Sequence, residues 1–289
     1  MKKNYSNKKA FTMVELSFVI IILGIVSSIG AEIIADIYES YIVQRAQQRS
    51  SAKTDLSTTQ IANRLRYAIP GTVYRITDTG SYESIESPLS TSGDNYIGLQ
   101  WVAADGDSFE ALKDDATAKG RRPGWSGFCD LDQSTQTNLN SPGSNFAIAD
   151  AIIKNLSKDT AGASKFKLAD ASVFFPGSAS EYNVSSSTGT ADYENNLTLE
   201  SGTKTFVEQY KLAWSSYALI VKSGDLYLYY NFEPTPKTSY SNQPKQLLMK
   251  NVSTFKFKAS GQTIRFKVCK EERISDEYNI TSCKEKAVF

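Results

Sequence analysis

Between Phe11 and Ala31 the chain is almost wholly apolar, and the stretch from Leu16 to Ala31 carries no charge. At the helical rise that stretch reaches about 24 Å, and Phe11 to Ala31 about 31 Å, so a crossing of the hydrocarbon core has to take in Glu15. Past it, Ile33, Ile34, Ile37, Tyr38, Tyr41 and Ile42 recur at helical spacing, and Ile61, Leu65 and Ile69 follow at steps of four. The polar stretch between them, Gln44 to Thr59 with Arg45, Arg49, Lys53 and Asp55, reads as an exposed middle. One long helix over about residues 11–68, ending before Pro70-Gly71, fits the pattern.

From Thr72 to about Lys204 the periodicity fades. Strand-like pieces at Thr72–Ile76 and Ile97–Ala103 stand among Gly, Ser, Asp and Asn clusters, Ala147–Leu156 reads as a short helix, and Ser178–Thr203 reads as a mobile polar loop. The end of the chain is clearer. Tyr217–Val221 and Leu226–Phe232 flank Ser223-Gly224-Asp225 as a β-hairpin. In a second hairpin Phe255, Phe257, Ala259, Ile264, Phe266 and Val268 alternate with Lys256, Lys258, Arg265 and Lys267 around Ser260-Gly261-Gln262, giving one apolar and one basic face. The expected fold class is α+β: a long N-terminal helix, its first half transmembrane, packed on a C-terminal antiparallel β-sheet head. The regions run 1–10 as a basic leader, 11–35 as the apolar helix, 36–68 as its distal amphipathic half, 69–205 as a loop-rich part of the head and 206–289 as its sheet.

Composition narrows the chemistry. The 289 residues are 40% apolar and 22% charged, enough for a folded core, and histidine is absent. Without histidine the commonest general base, the usual serine and cysteine triads and most zinc sites fall away, so no catalytic residue, metal or cofactor is expected. Cys129, Cys269 and Cys283 form no C-x-x-C pair. Lys2, Lys3, Lys8 and Lys9 precede the apolar run, which holds that end in the cytoplasm and sends residues beyond about 35 across the membrane, in a bacterium into the periplasm.

A cleavable signal peptide cut before Ala31, or an uncleaved anchor, would explain the apolar run but not Glu15. A carboxylate at such a position costs about 2.5 to 3.5 kcal/mol unless something pairs with it. The run Lys8-Lys9-Ala10-Phe11-Thr12-Met13-Val14-Glu15-Leu16 resembles the cleavage site of the type IV pilin superfamily, with Ala10 in place of the more usual Gly. The resemblance covers about the first 40 residues. It implies that a prepilin peptidase cuts between Ala10 and Phe11, that the new Phe11 amine is methylated and stays cationic, and that Glu15 pairs with such an amine to pin the register of packed subunits. It also implies a helix whose distal half packs against a β head.

Other constellations are weaker. The basic face Lys256, Lys258, Arg265 and Lys267 reads as a solvated sheet face, and nucleic acid is not expected as a partner. Asp105, Asp107, Glu110, Asp114 and Asp115 offer oxygen ligands but match no calcium-loop spacing and read as a solvated acidic loop. Cys269 and Cys283 bracket a polar segment at the end of the sheet, and an oxidising periplasm favours their pairing, worth about 3 kcal/mol for a loop of about 15 residues, with Cys129 left as a buried thiol. Asn-x-Ser/Thr sites occur at Asn155, Asn183, Asn196, Asn251 and Asn279, and Glu181, Glu194 and Glu277 stand two residues before three of them. That pattern resembles the extended acceptor of bacterial oligosaccharyltransferases and makes Asn183, Asn196 and Asn279 candidate glycosylation sites.

The expected function is that of a minor pseudopilin or minor pilin that primes or caps a periplasmic filament of a type II secretion or type IV pilus machine. The resemblance is to J-type or W-type subunits, because the head is large and Ile20–Tyr41 lacks the proline of major type IV pilins. Its implied partners are other pilin-like subunits through the N-terminal helix, the prepilin peptidase, the inner-membrane assembly platform and lipid. The alternative is a pilus-tip recognition module, an adhesin or DNA-uptake receptor, displayed on the same anchor. A tethered periplasmic enzyme has no nucleophile motif to support it.

Overall fold

The computed structural model describes residues 12–90, 95–115, 120–159, 161–176, 181–190, 193–200, 206–261, 263–274 and 278–288. In chain order the elements are α1 (Met13–Leu65), β1 (Tyr74–Thr77), β2 (Tyr82–Ser84), β3 (Tyr96–Ala103), α2 (Gly106–Glu110), β4 (Leu112–Asp115), β5 (Gly120–Pro123) and β6 (Asn138–Asn140). They continue with α3 (Phe146–Leu156), β7 (Ser172–Phe174), β8 (Glu181–Thr190), β9 (Tyr193–Leu199), β10 (Lys211–Ala213), β11 (Ser215–Lys222) and β12 (Asp225–Phe232). The last strands are β13 (Lys245–Met249), β14 (Val252–Ser260), β15 (Thr263–Arg273) and β16 (Asn279–Val288). A long apolar N-terminal helix followed by antiparallel sheet makes the chain α+β.

α1 is one uninterrupted helix of 53 residues, about 80 Å long. Thr12 caps its start, and Pro70-Gly71 follow shortly after its end at Leu65. Its buried residues are Ser50, Thr54, Ser57, Thr58, Ile61 and Leu65. Contact with the head therefore begins near Ser50, later than the boundary at residue 36 expected from the apolar pattern, and Ile37, Tyr38 and Tyr41 stand clear of it. The polar stretch expected to be an exposed middle is in part the packing face. Thr54 and Thr58 donate their hydroxyls to the carbonyls of Ser50 and Thr54 at 2.8 and 2.9 Å, and Ser57 donates to Leu248 O at 3.1 Å. Short side chains that satisfy their own hydroxyls can be buried where strands approach a helix closely.

All strand pairings are antiparallel, in a six-stranded sheet ordered β13-β12-β11-β3-β1-β2, a five-stranded sheet β10-β7-β8-β9-β6, a three-stranded sheet β14-β15-β16 and the pair β4-β5. Ile61 and Leu65 of α1 enter one core with Leu99, Trp101, Leu219, Leu228, Phe255, Phe266 and Val268 from the six- and three-stranded sheets. A second core gathers Trp125, Leu139, Phe146, Ile153, Val173, Leu197 and Trp214 around α3 and the five-stranded sheet.

The region expected to be dominated by loops holds β1 to β9. Most of its strands are short or carry Ser, Asn and Thr, and beside the local pairs β1-β2, β4-β5 and β8-β9 stand pairings with partners distant in sequence. β3 pairs with β11 and β7 pairs with β10, so the division at residue 205 does not separate the sheets. Gly98 marks the tightest of these contacts, since a Cβ there would lie 2.0 Å from Leu219 O. The polar segment Ser178–Thr203, expected as a loop, includes β8 and β9, which pair with each other, although residues 177–180, 191–192 and 201–205 lie outside the described ones.

Both hairpins read from the C-terminal pattern are present. β11 and β12 turn through Ser223 and Gly224 at φ 53° and 79°, the left-handed pair that a two-residue turn between twisted strands requires. β14 and β15 bury Phe255, Ile264, Phe266 and Val268 and expose Lys256, Lys258, Arg265 and Lys267. β16, which adds a third strand after the turn, was not legible as a strand because its alternation is of Thr, Ser, Lys and Glu.

The packing predicts two unequal substitutions. Ile61→Ala opens a cavity in the core and should lower the unfolding free energy by about 2 to 5 kcal/mol, whereas Ile34→Ala should leave it unchanged. Denaturant titration of the detergent-solubilised protein, followed by tryptophan fluorescence, measures both, and equal losses would contradict the packing boundary at Ser50.

Candidate functional site

The N-terminal end of α1 carries the group that sequence reasoning singled out. Glu15 Oε2 accepts hydrogen bonds from Thr12 N–H and Thr12 Oγ1, each at 3.0 Å, while Glu15 N–H donates to Thr12 Oγ1 at 3.3 Å. This is a reciprocal capping box. The carboxylate therefore bends back toward the start of the helix and meets two donors that the first turn would otherwise leave unpaired. The pattern Thr-x-x-Glu is the sequence signal for it, and sequence reasoning sought a partner for Glu15 only in an amine. Ala10 and Phe11, the residues of the expected cleavage, and Lys8 and Lys9 before them lie outside the described residues.

Past this cap the helix is bare. Every large apolar side chain from Met13 to Ile42 is exposed, from 87% at Met13 to 40% at Ile42. The helix is long and apolar enough to cross a membrane, and its most apolar stretch is not buried by the rest of the chain. Apolar surface on this scale marks a contact with lipid or protein. Ser17 satisfies its hydroxyl on Met13 O at 2.9 Å, so this hydroxyl asks nothing of an apolar surround.

The cysteines lie at the other end of the chain. Cys269 and Cys283 stand directly opposite on β15 and β16, Cα atoms 4.0 Å apart, and are joined by a disulfide. The segment between them, expected as a pinned loop, is mostly the paired ends of the two strands. Cys129 is free and buried, its thiol pushed up by burial.

The three candidate acceptor asparagines are dispersed, and each side-chain amide is engaged. Asn183 on β8 donates to Glu200 Oε2 at 3.2 Å, Asn196 on β9 accepts from Asn140 Nδ2 at 2.8 Å, and Asn279 at the start of β16 donates to Glu271 Oε1 at 2.8 Å. Asn183 and Asn279 are exposed, whereas Asn196 is half-buried. Glu277, and the side chains of Glu181 and Glu194, lie outside what the structure describes.

The acidic segment is not uniformly solvated. Asp105 is 3% exposed and caps α2, its Oδ1 accepting from Ser108 N–H at 3.1 Å, and its main-chain carbonyl accepts from Trp125 Nε1 at 2.9 Å. Burial raises its carboxyl to about 6 despite the Ser108 hydrogen bonds that oppose the shift. Among the described residues no three His, Cys, Asp or Glu side chains gather to hold a metal ion. The structure also brings together Ser141 with Ser144 and Tyr210, each pair at 2.7 Å, and Ser126 with Ser141 at 3.1 Å. Burial pushes the Tyr210 phenol up. No base stands in this hydroxyl network, which ties three chain segments across the second core and leaves no trace in the local sequence.

No protein-family model, curated protein or solved structure matches this chain.

Two outcomes follow from these geometries. Because the folded Asp105 holds its proton to a higher pH than the unfolded chain does, its contribution to stability is present below about pH 4 and lost as pH rises through about 6. Asp105→Asn keeps the cap and should flatten stability over that window, with a gain at pH 7 of up to about 3 kcal/mol, measured by urea unfolding at several pH values. Replacing Cys269 and Cys283 with Ser should cost about 2 to 5 kcal/mol of head stability, whereas Cys129→Ser should leave the non-reducing peptide map unchanged. A map joining Cys129 to either partner would contradict the assignment.

Proposed function

We propose that this chain is a minor pseudopilin or minor pilin, a subunit that enters and primes or caps a short filament on the far side of a bacterial inner membrane. One observation carries the reading: the bare apolar surface of α1 is longer than a membrane needs. A core about 30 Å thick takes about 20 helical residues, which Phe11 to Ala31 supply. Ile33, Ile34, Ile37, Tyr38, Tyr41 and Ile42 lie beyond that span, interspersed with Glu32, Asp36 and Glu39, and all six are exposed. A plain anchor has no use for such a stripe. Neighbouring helices of the same kind would cover it, and would surround the lower half of the helix when it leaves the bilayer.

Glu15 acquires a role in the same picture. In the isolated chain Thr12 holds it. Once the leader is removed, the Phe11 ammonium of an adjacent subunit supplies an opposite charge in the apolar layer, where the pair is strong and each ion relieves the other's desolvation. The rigidly held head then sits at a fixed height on the filament, and its size and its large second core fit a low-copy tip subunit rather than a repeated one.

Mass spectrometry of the native amino terminus tests this directly. A mature chain beginning at an N-methylated Phe11 is expected; a start at Ala31 or an intact Met1 would overturn the proposal. In the same strain Glu15→Val should insert into the membrane at least as well as the natural protein yet lose filament incorporation by tenfold or more.

A further inference from the structure

The three-stranded sheet leaves a long edge open. Glu271 donates its N–H to Asn251 O at 2.8 Å and Ser253 Oγ donates to Cys269 O at 3.4 Å, so the odd-numbered residues of this part of β15 turn their main chain toward β14. In the register Thr254 opposite Cys269, Lys256 opposite Lys267 and Lys258 opposite Arg265, the even-numbered residues of β14 bond to β15. Phe255, Phe257 and Ala259 then direct N–H and C=O outward, and among the described residues nothing hydrogen-bonds those outward groups.

A groove of about 390 Å³ lies along this edge, walled by Phe255, Phe257 and Phe266 of the sheet and by Leu89 and Tyr96 across from it. A second hollow of about 370 Å³ follows β14 from Val252 to Lys256. The charge on the first is one-sided. Lys256, Lys258, Arg265, Lys267 and Arg75 line it, with Glu285 as the one acid among the described lining residues. Lys256 faces Lys267 and Lys258 faces Arg265 across the strands, an arrangement of like charges that weakens a sheet. Arg75 is 4% exposed, stacks over Tyr96 at 5.1 Å, donates through Nη2 to Ser84 O and Ser87 O and pairs with Glu83 at 3.6 Å, so the exposed Lys258, Arg265 and Lys267 carry the charge of the groove.

We propose that this groove docks an extended acidic segment of a partner protein by strand addition to β14. The pleat specifies the occupant. Side chains on one face of an added strand continue the cationic face of Lys256 and Lys258, and those on the other continue the apolar face of Phe255 and Phe257. A segment alternating carboxylates with aliphatic side chains satisfies both, while its main chain pairs with Phe255, Phe257 and Ala259. Lysines on an edge also guard it against indiscriminate pairing, and the same charges select an acidic strand over others. A guard alone does not require hollows along the edge. Nucleic acid fits less well, since the outward carbonyls would oppose phosphate oxygens. The inference does not depend on the filament reading.

Fluorescence anisotropy with the full-length protein in non-ionic detergent tests it. The probe is a labelled octapeptide of alternating Glu and Val, compared with its fully N-methylated form, a Lys-Val octapeptide and a single-stranded oligonucleotide of matched charge. Saturable binding of the Glu-Val peptide is expected, weakened at least tenfold by N-methylation, which removes the strand donors, and at least tenfold by the exposed double substitution Lys258→Glu/Arg265→Glu. Equal affinity for the N-methylated or Lys-Val peptide, tighter binding of the oligonucleotide, full binding by the double variant, or no saturable binding of the Glu-Val peptide would each overturn the proposal.

Discussion

The close seating of α1 from Ser50 to Leu65 on the strands is the constraint from which the rest of the architecture proceeds. Ser50, Thr54, Ser57 and Thr58 occupy the earlier turns of this contact and Ile61 and Leu65 the later ones. Small side chains bury little area each, but they let main-chain and strand surfaces meet without leaving a void. Any bulky residue at Thr54 or Thr58 would push the helix off β16 and reopen the core around Phe266 and Val268.

From that seat the chain cannot leave freely. Ile69 N–H bonds to Val102 O at 2.9 Å and Ala104 N–H to Tyr67 O at 2.8 Å, so the residues just past α1 are laced to the end of β3. Asp105 N–H continues the lacing to Leu212 O at 2.8 Å. Ile69, Val102, Phe174 and Ala213 form a small apolar bridge between the two larger cores. The second core is thus fixed to the helix through main-chain bonds at its exit and not through a flexible linker, which keeps the whole head in one orientation with respect to the helix axis.

The long helix, the short helix at Phe146–Leu156 and both C-terminal hairpins were legible because each is encoded by local alternation or by a turn. What escaped notice was encoded at a distance. β3 reads as an isolated apolar piece until β11, more than a hundred residues later, supplies its partner; β16 lacks apolar alternation because its inward Lys284 and Lys286 lie beside the helix rather than deep in the core, Lys286 donating to Thr59 Oγ1 at 2.6 Å. Ser50, Thr54 and Thr58 read as surface because their polarity masks the small size that lets them pack. At the candidate site Glu15 was conspicuous as a lone charge, whereas the Thr12 cap that engages it lay in the same four letters. The cationic face reads as solvated, and Lys256, Lys258, Arg265 and Lys267 are all exposed.

The turns of α1 between the end of the apolar span and the first seated residue act as a stand-off. From Glu32 to Ile42 the helix rises about 16 Å with every large apolar side chain exposed. The stretch contains no proline or glycine at which to fold. A displacement of the apolar end along the helix axis is therefore delivered to the head undiminished, because the rod between them has no point at which to bend.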